Sequence, residues 1–163
     1  MTRIDADGYR RCMNELTVNR CRRLLESSPV AHLAVISRGE PYVTPISYVM
    51  VDDAICIRTM DGRRVEALRE NSRVCLTVSH YDEPTGDWES VILWGDAEFV
   101  DDPRTAQQII AAFFDKYRDV LGSPLNPAQQ LAKEGVEIRI PVDIAAGRTS
   151  GSFFSVRSRP GRL

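Results

Sequence analysis

Between Val30 and Val100 the chain breaks into short runs rich in β-branched and aromatic residues, cut by turn signals, and this segmentation restricts its fold more than any other feature. Val30–Ser37 is an apolar run, Arg38-Gly39-Glu40-Pro41 turns, and Tyr42–Val51 is a second run. Asp52-Asp53 turns again before Ala54–Thr59. Arg73–His80 alternates, with Val74, Leu76 and Val78 on one side and Arg73, Cys75 and Thr77 on the other. A polar loop, Tyr81–Asp87, precedes a long strand from Trp88 to Val100, and Val136–Ile140 with Pro141–Ala145 reads as a last, kinked strand. Helices are few. Thr17 caps one through Ser27, with Val18, Cys21, Leu24 and Leu25 on one face. Arg63–Asn71 forms a short one with Val65 and Leu68 inward. Asp102-Pro103 opens the third, whose apolar face is Ile109, Ile110, Phe113, Phe114 and Tyr117 and which Leu121-Gly122 ends. Strands in sequence without βαβ alternation predict a mainly β fold, a small barrel with peripheral helices.

With 163 residues, the chain suits one domain that can bury a core unaided. That domain is expected over 16–156, between a polar N-terminal arm at 1–15, free or strapped over a partner, and a loose basic tail at 157–163. A net charge of −2 argues against a broadly basic nucleic-acid surface. The scattered cysteines (Cys12, Cys21, Cys56, Cys75) contain no CxxC pair and suit reduced thiols. His32 and His80 share no ligand spacing, so no metal site is expected. The apolar run Val30–Ile36 is far short of the roughly 20 residues that span a bilayer. The N-terminus lacks a signal-peptide apolar region, which makes the cytoplasm the expected location.

Chemistry concentrates in Arg58-Thr59-Met60-Asp61-Gly62-Arg63-Arg64, where a strand ends and a helix begins. A helix start carries free N–H groups and partial positive charge, so arginines there conflict with the dipole unless an anion is near. A phosphate resolves the conflict. The plainer alternative is a solvated start with Arg63 paired to Asp61 or Glu66. In Pro41–Tyr48, two prolines interrupt the ladder and leave backbone groups free at an edge, which suits a planar heterocycle or simply protects an edge strand. Trp88 and Trp94 share one strand face, for stacking, an interface or core packing, and Gly95 permits close approach by a ligand or a second backbone. His32, inside an apolar strand, reads as a core histidine and His80 as a solvated one. No nucleophile–base arrangement is evident.

The segments PVAHLAVISRGEPYVTPISYV, IRTMDGRRVEALRENSRVCLTV and ESVILWGDAEFVDDP, in this order and spacing, resemble the pyridoxamine 5′-phosphate oxidase-like flavoproteins. The resemblance covers about half the chain and is strongest to the flavin-nucleotide-binding branch that includes nitroimidazole reductases. It implies a six-stranded, Greek-key split β-barrel and a homodimer holding FMN at the subunit interface. By position, Thr44, Pro45, Ile46 and Ser47 would line the ring through backbone groups, and Arg58, Thr59, Arg63 and Arg64 would hold the phosphate. Trp94 and Gly95 would approach the ring from another strand. The family often has lysine at the place of Arg64, and nitroimidazole-reducing relatives tend to have histidine at that of Arg58. The substrate-binding C-terminal segment of a true pyridoxamine phosphate oxidase is not recognisable.

Three functions follow from the resemblance. The first is an oxidoreductase passing electrons from a nicotinamide donor to a small acceptor, with FMN or a deazaflavin coenzyme supplying the redox step. The second is a non-enzymatic flavin or haem binder, and the third a dimer with an empty pocket. Tyr48 is the candidate exception to the lack of an acid, its phenol projecting from the ring-lining strand to donate a hydrogen bond, although a core or interface tyrosine is its commoner role.

Overall fold

The computed structural model describes residues 13–118, 135–142 and 144–150. In chain order the elements are β1 (Met13–Glu15), α1 (Val18–Ser27), β2 (Val30–Ser37), β3 (Glu40–Ser47), β4 (Val49–Val51), β5 (Ala54–Thr59) and α2 (Arg63–Glu70). They continue with β6 (Arg73–Asp82), β7 (Asp87–Asp96), β8 (Glu98–Phe99), α3 (Pro103–Tyr117), β9 (Val136–Pro141) and β10 (Ile144–Ser150). The strands form two antiparallel sheets, one of order β1-β10-β7-β6-β2-β3 and one of order β4-β5-β9-β8. They enclose a common core, and the fold is a split β-barrel.

The alternation read in the sequence decides which residues fill that core. Leu33, Val35, Val74, Leu76, Val78, Val91 and Leu93 point inward from the larger sheet to meet Ile55, Ile57, Ile138 and Ile140 from the smaller. Helices α1 and α2 add Leu24, Leu25, Val65 and Leu68 to the same cluster. A second cluster lies under α3, where Ile109 and Tyr117 cover Val49, Ala54 and Cys56. Both helix starts follow their capping residues: Thr17 accepts from Arg20 N–H, and Asp102 accepts from Thr105 N–H at 2.8 Å with Pro103 in the first turn. Val18, assigned to the buried face of α1, is 84% exposed, and the helix buries Cys21, Leu24 and Leu25 instead.

Three long runs prove to be strands that change sheets. Tyr42–Val51 divides at Tyr48, Trp88–Val100 at Ala97, and the last run at Val142, so each contributes to both sheets. Corners of this kind close two sheets around one core. At Tyr48 the interrupted ladder is repaired by a side chain. The Tyr117 hydroxyl accepts from Tyr48 N–H at 3.0 Å and lies 2.6 and 2.9 Å from the Pro29 and Tyr48 carbonyls. The polar loop expected at Tyr81–Asp87 shortens to a four-residue turn, 83–86, since β6 and β7 pair out to Asp82 and Asp87. Within the expected arm, Met13–Glu15 pair with Arg148–Ser150, while the rest of the arm, the end of the third helix at Leu121-Gly122 and the basic tail lie outside the described residues. No helix among the described residues is long and apolar enough to cross a membrane.

Candidate functional site

Strand β3 is the outer edge of the six-stranded sheet, and α2 follows the end of β5 close to it. Strand parity turns Tyr42, Thr44 and Ile46 to the inner side, opposite Val35, Leu33 and Ala31 of β2. Arg64, in the first turn of α2, spans the gap. Its guanidinium donates to the Thr44 hydroxyl through Nε at 3.1 Å and Nη2 at 2.8 Å, and to the Thr59 hydroxyl through Nη1 at 3.2 Å. Residues from β3, β5 and α2, far apart in sequence, thus meet around one cation.

Arg63 does not pair with Asp61 or Glu66. It donates to the Ser37 hydroxyl at 2.9 Å and lies 4.3 Å over the ring of Tyr42, whereas Asp61 is bridged by Arg69. The start of α2 carries no side-chain cap, because its N-cap is Gly62, around which a Cβ would meet open space. Free N–H groups, two arginines and two hydroxyls therefore converge on one open junction, a donor set that fits a phosphate.

Arg58 is engaged elsewhere. The pleat of β5 turns Thr59 toward Arg64 and Arg58 to the other face, where Arg58 pairs with Glu137, its cross-strand neighbour on β9. Burial draws this guanidinium below its ordinary value, and Glu137 is itself only 10% exposed. Nothing in the sequence pairs these residues until the register of β5 and β9 is known. Ser37 and Tyr42 were likewise missed, although Tyr42 shares the parity of Thr44.

The free edge of β3 carries Thr44, Pro45, Ile46 and Ser47. The Ile46 side chain belongs to the core and is closed to a ligand. A proline fits a ladder only where its nitrogen faces away from the partner strand. Pro41 and Pro45, of equal parity, therefore present nitrogen without a donor to the open side, where the carbonyls stay free.

The outer face of the same sheet is largely apolar. In register across it lie Val43, Ala34, Cys75 and Trp94, then Pro45, His32, Thr77 and Ile92. Val43 is 57% and Trp94 38% exposed. Trp94 stands three strands from Val43, about 14 Å at the usual strand spacing, and does not reach the β3 edge of its own protomer. Gly95 points inward, where a Cβ would stand 3.1 Å from Ile140 and 3.2 Å from the Pro141 carbonyl, so its close approach is to a second backbone. His32 was expected in the core and is exposed on this face, since Ala31, Leu33 and Val35 take the inward parity. Tyr48 is fully buried and donates to the Leu25 carbonyl at 2.5 Å, with burial pushing its phenol above the ordinary range. It is a core tyrosine and faces no ligand.

Two open cavities among the described residues lie elsewhere. One of about 640 Å³, beneath α1, is lined among others by Arg20, Arg23, His80 and Glu89, and a second of about 390 Å³ by Cys21, Met50 and Val142. Neither touches the residues around Arg64, whose site is a surface along a strand edge, open on the side a second wall would occupy. Among the described residues no group of histidine, cysteine and carboxylate side chains could hold a metal.

A family model described as pyridoxamine 5′-phosphate oxidase matches residues 17–149. An uncharacterized protein of Rhizobium meliloti (strain 1021) is 25% identical over 75 residues, 46% of this chain and 49% of that protein, so the chain spans about half the length of this curated relative. Among solved structures, a FAD-binding protein from Mesorhizobium loti superposes with a TM-score of 0.68 at 25% identity, over 85% of this chain and 97% of that one. A conserved hypothetical protein from Mycobacterium tuberculosis gives 0.73 at 20% identity, over 99% and 98% of the two chains.

Proposed function

The chain belongs to the pyridoxamine 5′-phosphate oxidase family, and from that premise we propose that it is an FMN-binding oxidoreductase, active as a homodimer and carrying electrons from a nicotinamide donor to a small acceptor. The observation that carries this reading is the junction at Arg64, where two hydroxyls from separate strands and an uncapped helix start surround one guanidinium. Arg64, Thr59 and Thr44 would hold the phosphate, with Arg63 beside them, and the β3 edge from Thr44 to Ser47 would face the ring. Arg58 would act indirectly, through its pair with Glu137.

When bound, the flavin would supply the two-electron chemistry, and the protein its position and electrostatics. A ring on the β3 edge has a wall on one side only. A second copy, packed through the apolar outer face, would bring its own Trp94 to that side. The charges at the border of this face are paired within the protomer, Arg73 with Asp96 and Arg148 with Glu15, so a two-fold contact brings no uncompensated like charges together. Free Cys21, Cys56 and Cys75 suit a reducing compartment, and the cytoplasm is the proposed setting.

A dinucleotide, FAD, is the second reading, favoured by the flat surface that Arg63 and Tyr42 form beside the phosphate residues. The test is the visible spectrum and mass of the molecule that copurifies, followed by titration of the stripped protein with FMN, FAD and a deazaflavin coenzyme. Submicromolar binding of FMN with a flavin spectrum is expected. Absence of binding by all three would overturn the proposal.

A further inference from the structure

His32 occupies the middle of the outer face of the six-stranded sheet, among residues that carry no charge. Pro45 of β3 and Thr77 of β6 flank it in register, and Val30 and Ala34 are its neighbours on the same face of β2. The other titratable or charged groups of this face among the described residues are Cys75, whose thiol burial pushes up, Tyr81 at the far end of β6, the Arg73–Asp96 pair and Arg148, which is bridged to Glu15. Helices α1 and α2 pack on the opposite, inner side. Neither imidazole nitrogen bonds a described residue, so nothing among the described residues accounts for a histidine here.

We propose that His32 is the proton-exchanging residue of the site along the β3 edge, an inference that rests on the reading of that edge as the ring site. Directly opposed side chains on one sheet face have Cβ atoms about 4.5–5.5 Å apart, so the imidazole stands beside Pro45, one strand from the edge. Imidazole is also the side chain whose charge changes near neutral pH. The step it serves is explicit. A quinone that receives a hydride, two electrons and one proton, from the flavin reduced by the nicotinamide donor needs one more proton to become the hydroquinone. The His32 imidazolium gives that proton, and the neutral imidazole takes one back from solvent.

Titration of the imidazole resonances by NMR, in the full-length protein without ligand and with saturating FMN or riboflavin, tests the contact without turnover. The apparent pKa of His32 is expected to move by at least half a unit with either ligand, while that of His80 stays in place. His32→Gln is expected to keep FMN affinity within about threefold and to slow quinone reduction by about 10²-fold. It is expected to spare ferricyanide, which takes an electron without a proton, and to lose the fall in quinone rate on the alkaline side of the histidine titration. FMN binding that leaves the His32 titration unmoved would overturn the inference and leave the flavin reading intact. Failure of FMN to bind at all would overturn both.

Discussion

Arg58 and Glu137 face each other from neighbouring strands, β5 and β9, and their charges neutralise one another on the side of β5 turned away from Thr59. Removing one partner of such a pair exposes the other to the full cost of burial, whereas removing both does not. Arg58→Met is expected to lower unfolding stability by about 2–3 kcal/mol, less than a fully buried pair would lose. The double variant Arg58→Met/Glu137→Leu is expected to regain most of that loss in urea denaturation. Equal instability of the single and double variants would show that the pair is not coupled.

Arg64→Ala is expected to weaken FMN by about 1.5–3 kcal/mol, the scale of hydrogen bonds to charged groups. Riboflavin, which has no phosphate, is expected to bind both forms alike. Fluorescence titration of the two ligands makes the comparison. Equal losses for FMN and riboflavin would mean that the guanidinium only braces β3 against β5.

Tyr48→Phe is expected to change stability and leave flavin chemistry alone. The hydroxyl satisfies the Leu25 carbonyl in the last turn of α1, where helix carbonyls lack intrahelical partners. Leaving that acceptor bare in the core costs about 1–3 kcal/mol. Thermal unfolding should register the loss, and turnover with quinone and nitroaromatic acceptors should hold.

Lys116 gives a dependence on pH. Its ammonium lies 4.0 Å over the Tyr48 ring with no hydrogen-bond partner among the described residues, and burial lowers its pKa from 10.5 to about 8. Above the lowered value the folded state has released a proton that the unfolded chain still holds, so stability from this group rises between about pH 8 and 10.5 and is lowest below 8. Lys116→Met is expected to flatten that rise relative to wild type. Parallel melting curves across the interval would contradict the assignment.

Light scattering is expected to give about twice the 18.3 kDa chain mass at micromolar concentration. Trp94→Glu or Val43→Glu puts a charge into the apolar outer face and is expected to yield monomers that bind FMN at least tenfold more weakly. A monomeric variant with unchanged affinity would mean that one protomer holds the whole site.

Sequence periodicity located the strands well because burial imposes it: Val74, Leu76 and Val78 point inward as their alternation requires. It did not locate the corners, since Tyr48 is as strand-like as its neighbours and the break depends on a hydroxyl 69 residues away. At the site, the cluster of arginines at a strand–helix junction was legible, and so were Thr44 and Thr59 from the resemblance. The partners were not. Glu137 reaches Arg58 through register alone, and the exposure of His32 follows from which parity the core selects, which a uniformly apolar strand such as VAHLAVIS does not disclose.

The two prolines of β3 also decide how the protein can grow. An open edge normally invites another strand, and repeated addition of that kind leads to fibres. With donors missing at Pro41 and Pro45, an incoming chain finds half a ladder and gains too little to stay, while a compact heterocycle needs only the few groups that remain. The edge is thereby closed to polymerisation and open to a small molecule, and association is left to the sheet face, which a two-fold contact uses up once two copies have met.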